Sequence, residues 1–383
     1  MTEQRTMQTP STSADPQARW MAVISGRERG LSAAAARLFL AHQAVLYRLA
    51  LAIRNLMCRL PRYVKRVPCP VVSVGNLTIG GTGKTPMVAY LARLAVELGR
   101  RPLIVSRGYG GRPGGLNEEA RELQRLVPGV PHVQNPNRYR AILDWLARRG
   151  CDLAILDDGF QHRRLVRDLD IVLVDALRPF GYGRLLPRGL LREPLAALRR
   201  ADLVVITRAE LVDAAQVARL KRDLQGRLRP GTPILVAEHR PTGLTILDGS
   251  RRPAEWLRGQ DVAAACGIGN PEAFRLTLEH LGACVRLFEI FRDHYPYTPG
   301  DLAGLIQAAR SAGAKTLVTT GKDFVKWLPL LGSQAAAPSV EVAALEVAMA
   351  LVEGEDLLRS RVAALGAGTA GDGHAPPQDL SAD

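Results

Sequence analysis

A short apolar run, Pro70-Val71-Val72-Ser73-Val74, leads through Gly75-Asn76-Leu77 into Thr78-Ile79-Gly80-Gly81-Thr82-Gly83-Lys84-Thr85, and a helical pattern runs on from Thr85 to Leu98. A buried strand that turns through small residues into a helix presents a ring of backbone N–H groups at a helix N-terminus. That geometry suits phosphate oxygens. In this reading the main chain of Thr78, Ile79, Gly80, Gly81, Thr82 and Gly83 wraps the phosphates. Lys84 reaches the β- and γ-phosphates, and Thr85 holds Mg²⁺ through its hydroxyl. Thr78 stands where such loops usually begin with glycine, so the loop departs from the strict pattern by one residue. The bland alternative is a Gly-rich turn that binds nothing. The placement of Gly83-Lys84-Thr85 between strand and helix argues against it.

The strand-then-helix alternation continues. Apolar runs at 102–106, 152–156, 170–174, 202–206 and 233–237 read as buried strands, and helical patterns at 138–149 and 211–228 separate some of them. Such an order implies an α/β fold, P-loop NTPase-like and doubly wound, with a largely parallel sheet. Residues 239–258 carry turn signals and read as a connector. A second, smaller α/β lobe follows, with strands at 261–268, 283–288 and 315–320 and helices at 271–281 and 300–312. The expected division is a flexible tail over 1–30, a helix over 31–62, the P-loop domain over 63–240 and a connector over 241–260. The smaller lobe occupies 261–350, and 351–383 is a C-terminal segment with a disordered tail.

The strand at 152–156 ends in Asp157-Asp158-Gly159-Phe160-Gln161-His162. A carboxylate at that edge meets the Mg²⁺ of the phosphate loop. Two adjacent carboxylates point to different sides, so one holds the metal directly and the other through water. Three further segments are loop-like. Ser106-Arg107-Gly108-Tyr109-Gly110-Gly111, with Asn117-Glu118-Glu119 beyond it, follows a strand and can carry acceptor-binding groups. Gly181 to Pro194 holds arginines, Arg192 among them, suited to a transferred or bound phosphate. In Phe291-Arg292-Asp293-His294-Tyr295-Pro296-Tyr297, Asp293 and His294 are placed to orient each other. Taken singly, these three read equally as solvated or structural sequence. His162 alone reads first as a hydrogen-bonded structural residue.

Composition narrows the partners. Across 383 residues the net charge is +14, which suits nucleic acid, an acidic membrane or a phosphorylated substrate. Aromatic residues are only 5%, too few for a stacking platform on single-stranded nucleic acid, so no nucleic-acid partner is expected. The five cysteines form no CxxC pair, which disfavours a disulfide framework or a cysteine zinc site and fits a reducing cytosol. The polar first nineteen residues carry no secretory signal pattern, and no uninterrupted apolar run of about 18 residues marks a clean transmembrane helix.

Between Leu31 and Leu60 there is neither Gly nor Pro. Leu38, Val45, Leu49, Ala52, Leu56 and Leu60 share one helical stripe, and Arg37, Arg48 and Arg59 form a second stripe beside it. Two readings stand: a helix packed on the core, and an interfacial helix with its apolar side in the acyl boundary and arginines reaching anionic headgroups.

Together the five segments resemble the tetraacyldisaccharide 4′-kinase family. Its GNLTxGGTGKTP motif corresponds to Gly75 through Pro86. SRGYG, DDGFQH, a GxGxLLPxGxLREP segment and DHxxF/Y follow in the same order, and the likeness spans roughly residues 30–330. The resemblance implies transfer of the ATP γ-phosphoryl group to the 4′-hydroxyl of an acylated, 1-phosphorylated glucosamine disaccharide, giving lipid IVA in lipid A biosynthesis. It further implies Mg²⁺, a second lobe that closes on nucleotide, and a peripheral or monotopic place on the cytoplasmic face of the inner membrane. The catalytic set becomes Glu118, His294, Lys84 and Asp158, with Thr85, Asp157 and Asp158 as metal residues. The acceptor set becomes Arg107, Tyr109, Glu119, Gln161, His162, Arg192 and Glu193. Two positions depart from the family pattern. Asn117-Glu118-Glu119 replaces Gly-Asp-Glu, which puts Glu118 where the base is expected and His294 as its partner. Thr320-Gly321-Lys322-Asp323 replaces Thr-Glu-Lys-Asp.

Competing readings are a P-loop GTPase of the switch or metallochaperone type and a catalytically silent membrane-binding relative. Guanine selection uses an Asn-Lys-x-Asp strand end. The nearest segment here, Thr207-Arg208-Ala209-Glu210, lacks both the Asn and the Asp.

Overall fold

The structure, a computed structural model, describes residues 16–58, 60–108, 117–331 and 340–366. The chain begins with helices α1 (Pro16–Ser25) and α2 (Leu31–Met57). Then follow β1 (Val71–Asn76), α3 (Lys84–Glu97), β2 (Pro102–Ser106), α4 (Glu118–Leu126), β3 (His132–Gln134), α5 (Arg138–Arg148), β4 (Leu153–Asp157), β5 (Leu169–Asp175), β6 (Leu203–Thr207), α6 (Ala214–Gln225) and β7 (Ile234–Ile246). The remainder comprises β8 (Arg251–Arg252), β9 (Asp261–Cys266), α7 (Pro271–His280), β10 (Cys284–Ile290), α8 (Pro299–Ser311), β11 (Thr316–Thr320), α9 (Gly321–Leu331), β12 (Glu341–Glu353) and α10 (Glu355–Ala364).

One sheet runs through the molecule in the order β10-β9-β11-β12-β7-β6-β5-β1-β4-β2-β3, with β8 paired to β7. All neighbours on the path are parallel except β12 and β7, which are antiparallel. Strands β1, β4, β5 and β6 are buried throughout, as expected of parallel strands covered on both faces. Met87, Leu91 and Ala92 of α3 pack on one face of that half, and Ile142 of α5 and Leu224 of α6 on the other. Trp327 of α9 is fully buried against Leu302 and Leu317 in the second half. Truncating such a residue to Ala costs about 3–5 kcal/mol.

The antiparallel pair sets where ligands can sit. Ile206 at the end of β6 is level with Val236, whereas Thr320 at the end of β11 is level with Leu345, and Leu345 with Leu244. The two parallel half-sheets therefore turn their C-terminal edges toward each other. Between them only β7 and β12 continue, for about 26 Å at 3.3 Å per residue. Ligands in α/β folds bind at C-terminal strand edges. Here two such edges face one gap.

Several expectations are corrected. Residues 241–246, read as part of a connector, belong to β7. Pro241 and Gly243 are tolerated there because the register slips between them, with Glu346 opposite Gly243 and Val347 opposite Pro241. Pro16–Ser25, read as tail, is a helix whose Val23 and Ile24 are buried and whose neighbour in contact is α2. Trp20 Nε1 donates to the Pro187 carbonyl at 2.8 Å. Residues 351–364, read only as a C-terminal segment, belong to the fold: β12 runs back into the first half, and Leu358 and Val362 of α10 pack into the α3 core. Residues 1–15 and 367–383 lie outside the described residues.

Candidate active site

The two facing edges enclose a cleft of about 1030 Å³. The phosphate loop forms its floor. Gly83 adopts φ 85° and caps α3, which starts at Lys84. A side chain at Gly83 would strike His239, with a Cβ only 2.6 Å from its Nε2. The Asn76 amide donates to the Thr78 carbonyl at 2.9 Å, and the backbone N–H of Ile79 donates to the Leu190 carbonyl at 2.8 Å. The loop is thus laced to the 181–194 segment. From the opposite half-sheet, Gly269 abuts Gly80 and Gly81. Arg208 donates to the Gly81 carbonyl at 2.7 Å and pairs with Asp175 at 2.5 Å. The arginine of the segment considered for guanine selection therefore braces the phosphate loop.

Asp157 ends β4 at 3% exposure, and its Oδ1 has no hydrogen-bond partner. Burial, then the charges of Glu119 and Asp158, push its pKa up to about 7 against Lys84 and Arg138. Asp158 turns away at φ 50°. It accepts two hydrogen bonds from Arg192, at 2.7 and 2.8 Å, and lies 3.8 Å from Lys84 Nζ. Burial works against its charge, but Lys84 and Arg192 hold its carboxyl well below the usual carboxylate range. Arg138, itself buried, donates to the Asp157 carbonyl at 2.9 Å and so fixes this turn.

An orphaned buried carboxylate oxygen within reach of the Lys84 charge, in the cleft that Thr85 also lines, is the setting a divalent cation needs. Among the described residues no group of three or more His, Cys, Asp and Glu could hold a metal alone. Mg²⁺ typically takes one or two carboxylates plus substrate phosphates, so Asp157, Asp158 and Thr85 fit it.

Glu118 opens α4, whose N-cap Asn117 accepts from the Ala120 N–H at 2.9 Å. Its Oε2 lies 3.0 Å from His294 Nδ1 and 3.0 Å from Lys326 Nζ. Burial raises the Glu118 pKa, yet the hydrogen bonds of His294 and Lys326 outweigh it and bring it down to about 2. The same contact raises the His294 pKa. His294 lines the cleft and Glu118 stands behind it.

Of the remaining acceptor residues, Arg107, Glu119, Gln161, His162 and Arg192 line the cleft. Gln161 donates to the Asn76 carbonyl at 2.9 Å. Burial, then Arg138 and neighbouring arginines, lower the His162 pKa to about 4, so it is neutral. Glu193 is not brought there. It is fully buried and paired with Arg54 at 3.0 Å and Arg200 at 2.7 Å, a structural carboxylate. Tyr109 lies outside the described residues. Where the family has a carboxylate at Gly321, Arg125 occupies the space: a Cβ there would meet its Nη2 at 2.4 Å.

Sequence reasoning missed Tyr47 and Arg54 of α2, Arg163, Arg164 and His239, which all line the cleft. A signal existed for α2. Tyr47, Leu51, Arg54 and Cys58 recur at helical spacing on the face opposite the apolar stripe.

The profile of the tetraacyldisaccharide-1-P 4′-kinase family matches residues 36–365. The chain belongs to that family. It is a kinase of lipid A biosynthesis. This kinase is 43% identical over 312 residues to the tetraacyldisaccharide 4′-kinase of Syntrophus aciditrophicus (strain SB), covering 75% of this chain and 83% of that one. It is also 43% identical over 317 residues to the Geobacter metallireducens enzyme of the same name, covering 77% and 90%. Among solved structures it is similar to the "apo" form of LpxK from Aquifex aeolicus in complex with ATP. The TM-score is 0.64 and the identity 32%, over 85% of this chain and 98% of that one. Membership sets aside the guanine-nucleotide switch.

Proposed function

We propose that this kinase transfers the γ-phosphoryl group of ATP to the 4′-hydroxyl of an acylated, 1-phosphorylated glucosamine disaccharide, giving lipid IVA, at the cytoplasmic face of the inner membrane. The observation that carries the reading is the meeting of two unlike devices in one cleft. The phosphate loop, Asp157 and Asp158 come from one half-sheet. His294 comes from the other, with Glu118 behind it. The first set holds a nucleoside triphosphate, and the second handles the proton of an attacking hydroxyl.

Lys84 presents its charge to the β- and γ-phosphates, and the loop N–H groups hold the phosphate oxygens. Thr85, Asp157 and Asp158 would hold Mg²⁺. When bound, Mg²⁺ neutralises charge on the phosphate oxygens. His294, with Glu118 fixing its Nδ1, takes the proton of the acceptor hydroxyl as a unit. Arg107, Arg163, Arg164 and Arg192 form a basic wall suited to the acceptor's own phosphate. We read the two half-sheets, each with its own helices, as two lobes that close on nucleotide.

The exposed side of α2 supports an acceptor drawn from a bilayer. Leu38 is 75% exposed, and Val45, Leu49 and Leu56 are likewise exposed, while only Ala33 and Leu51 are buried. That pattern does not fit a helix packed on the core. α2 is also long and apolar enough to cross a membrane. Arg48 is exposed beside the stripe, and Arg37 donates to the Glu28 carbonyl at 2.9 Å. Arg59 lies outside the described residues.

The test is transfer of label from [γ-³²P]ATP to detergent-dispersed tetraacyldisaccharide 1-phosphate. Labelled lipid is expected from the free acceptor and none from one blocked at the 4′-oxygen. Equal labelling of both, or of neither, overturns the reading.

A further inference from the structure

The cleft side of α2 touches the chemistry through one residue. The Tyr47 hydroxyl donates to the Arg192 carbonyl at 2.9 Å. From the other side, the Arg192 backbone N–H donates to the Leu77 carbonyl at 2.6 Å, just before the phosphate loop. The Arg192 backbone is thus held between α2 and β1's extension. Its guanidinium then takes both oxygens of Asp158, and also the carbonyl and side-chain oxygens of Asn76. Two turns further along α2, Arg54 pairs with the fully buried Glu193, so the helix is fixed at two consecutive residues of the segment.

We propose that Tyr47 is a positioning residue for phosphoryl transfer: it fixes the Arg192 backbone, and Arg192 in turn sets the orientation of Asp158 beside Lys84. The helix whose far side meets lipid therefore also holds part of the phosphoryl-transfer site in place. A carboxylate bound in two places by a planar guanidinium has one orientation, and such a fork tolerates little displacement of its backbone. Loss of the Tyr47 hydroxyl frees the Arg192 carbonyl on one side and leaves the ring packing intact. Small misplacements of this kind lower the rate of the chemical step rather than substrate capture.

This inference rests on the transfer reaction proposed above, and the experiment separates the two. Tyr47→Phe is compared with the parent in the labelled-lipid assay at saturating ATP and acceptor, together with co-sedimentation on phosphatidylglycerol vesicles. If the parent labels no lipid, the reaction is wrong. With an active parent, Tyr47→Phe is expected to lower kcat about five- to twentyfold, as one hydrogen bond of about 1–2 kcal/mol would. KM for both substrates should stay within about twofold, with vesicle binding unchanged, since the hydroxyl faces the protein. In an Arg192→Lys background the same change should add less than about twofold, because residues acting through one another are non-additive. Unchanged kcat, a loss confined to acceptor KM or vesicle binding, or a full multiplicative loss in the Arg192→Lys background each overturns it. The kcat-against-KM split decides the matter even where Arg192→Lys proves inactive.

Discussion

Asp157 is held in the folded chain against its own solvation, since it is buried with one carboxylate oxygen unpartnered. Its pKa of about 7 lies above that of an unfolded aspartate. A carboxyl raised in this way costs stability above its folded pKa and nothing below its unfolded one. Asp157→Asn is therefore expected to stabilise the ligand-free protein at pH 8, by on the order of 1–3 kcal/mol. The gain should shrink toward pH 5, where Asp157 is itself protonated. Transfer should meanwhile fall about 10²-fold or more. Calorimetric melts at the two pH values check the first claim, and an Asn variant that melts lower at pH 8 refutes it. The His294 pKa is also raised, but by a partner rather than by burial: the Glu118 hydrogen bond is the chief cause. Activity should climb with pH as His294 loses its proton. In Glu118→Gln that ascending limb should move to lower pH, because a neutral amide no longer favours the imidazolium, and kcat should fall about 10²–10⁴-fold. A limb that stays in place means the two residues do not titrate as a unit. The Asp-Asp strand end was readable from local order, but the expected Asp293–His294 pairing is not the close contact that forms: Asp293 pairs with Lys322 at 2.8 Å, and His294 meets Glu118, far away in the chain. Glu193 was not readable either: its partner Arg54 lies far away in the chain, and no local pattern announces a buried ion pair.

At the level of elements, α2 was legible on one face only. Apolar periodicity exposed the Leu38, Val45 and Leu49 stripe, while the face bearing Tyr47 and Arg54 is mixed in polarity and is marked by helical spacing alone. Helix α4 was missed because Asn117-Glu118-Glu119 reads as loop, although Asn117 is the N-cap and Ala120 and Leu123 are its buried face. Strand β12 is alanine-rich, with weak strand propensity, and forms because β7 and β11 flank it. Deleting α2 would leave Glu193 with Arg200 alone in a buried site, so loss of membrane binding could not be told from misfolding. The triple change Leu38→Gln, Val45→Gln, Leu49→Gln avoids this, since all three side chains are exposed. Each apolar side chain buried in an acyl boundary is worth about 1.5–3 kcal/mol. The variant should therefore leave anionic vesicles, keep its melting temperature and ATP affinity, and lose activity through acceptor KM. Undiminished co-sedimentation would place the membrane surface elsewhere.

For the whole molecule, the decisive geometry is the antiparallel joint between two parallel half-sheets, and it was invisible because Pro241 and Gly243 look like a break in any strand. Its consequence is that two C-terminal edges line one cleft, and they meet backbone to backbone at Gly269 and the phosphate loop. A Cβ on Gly269 would lie 2.4 Å from the Gly81 nitrogen and 2.9 Å from the Gly80 Cα. Backbone atoms on both sides leave no flexible side chain to give way, so Gly269→Ala must hold the half-sheets apart or distort the loop. Its fold should survive, because the clash lies at the cleft rather than in either core. ATP that binds only the folded state adds RT ln(1 + [L]/Kd), about 2.7 kcal/mol at a hundredfold excess over Kd. The parent's melting temperature should rise accordingly with ATP, whereas Gly269→Ala should show a rise several-fold smaller at the same ATP concentration, with an unchanged melting temperature in its absence. An equal ATP-dependent rise in both proteins would mean that nucleotide is held by the phosphate loop's own half-sheet, and that the approach of Gly269 plays no part in gripping it.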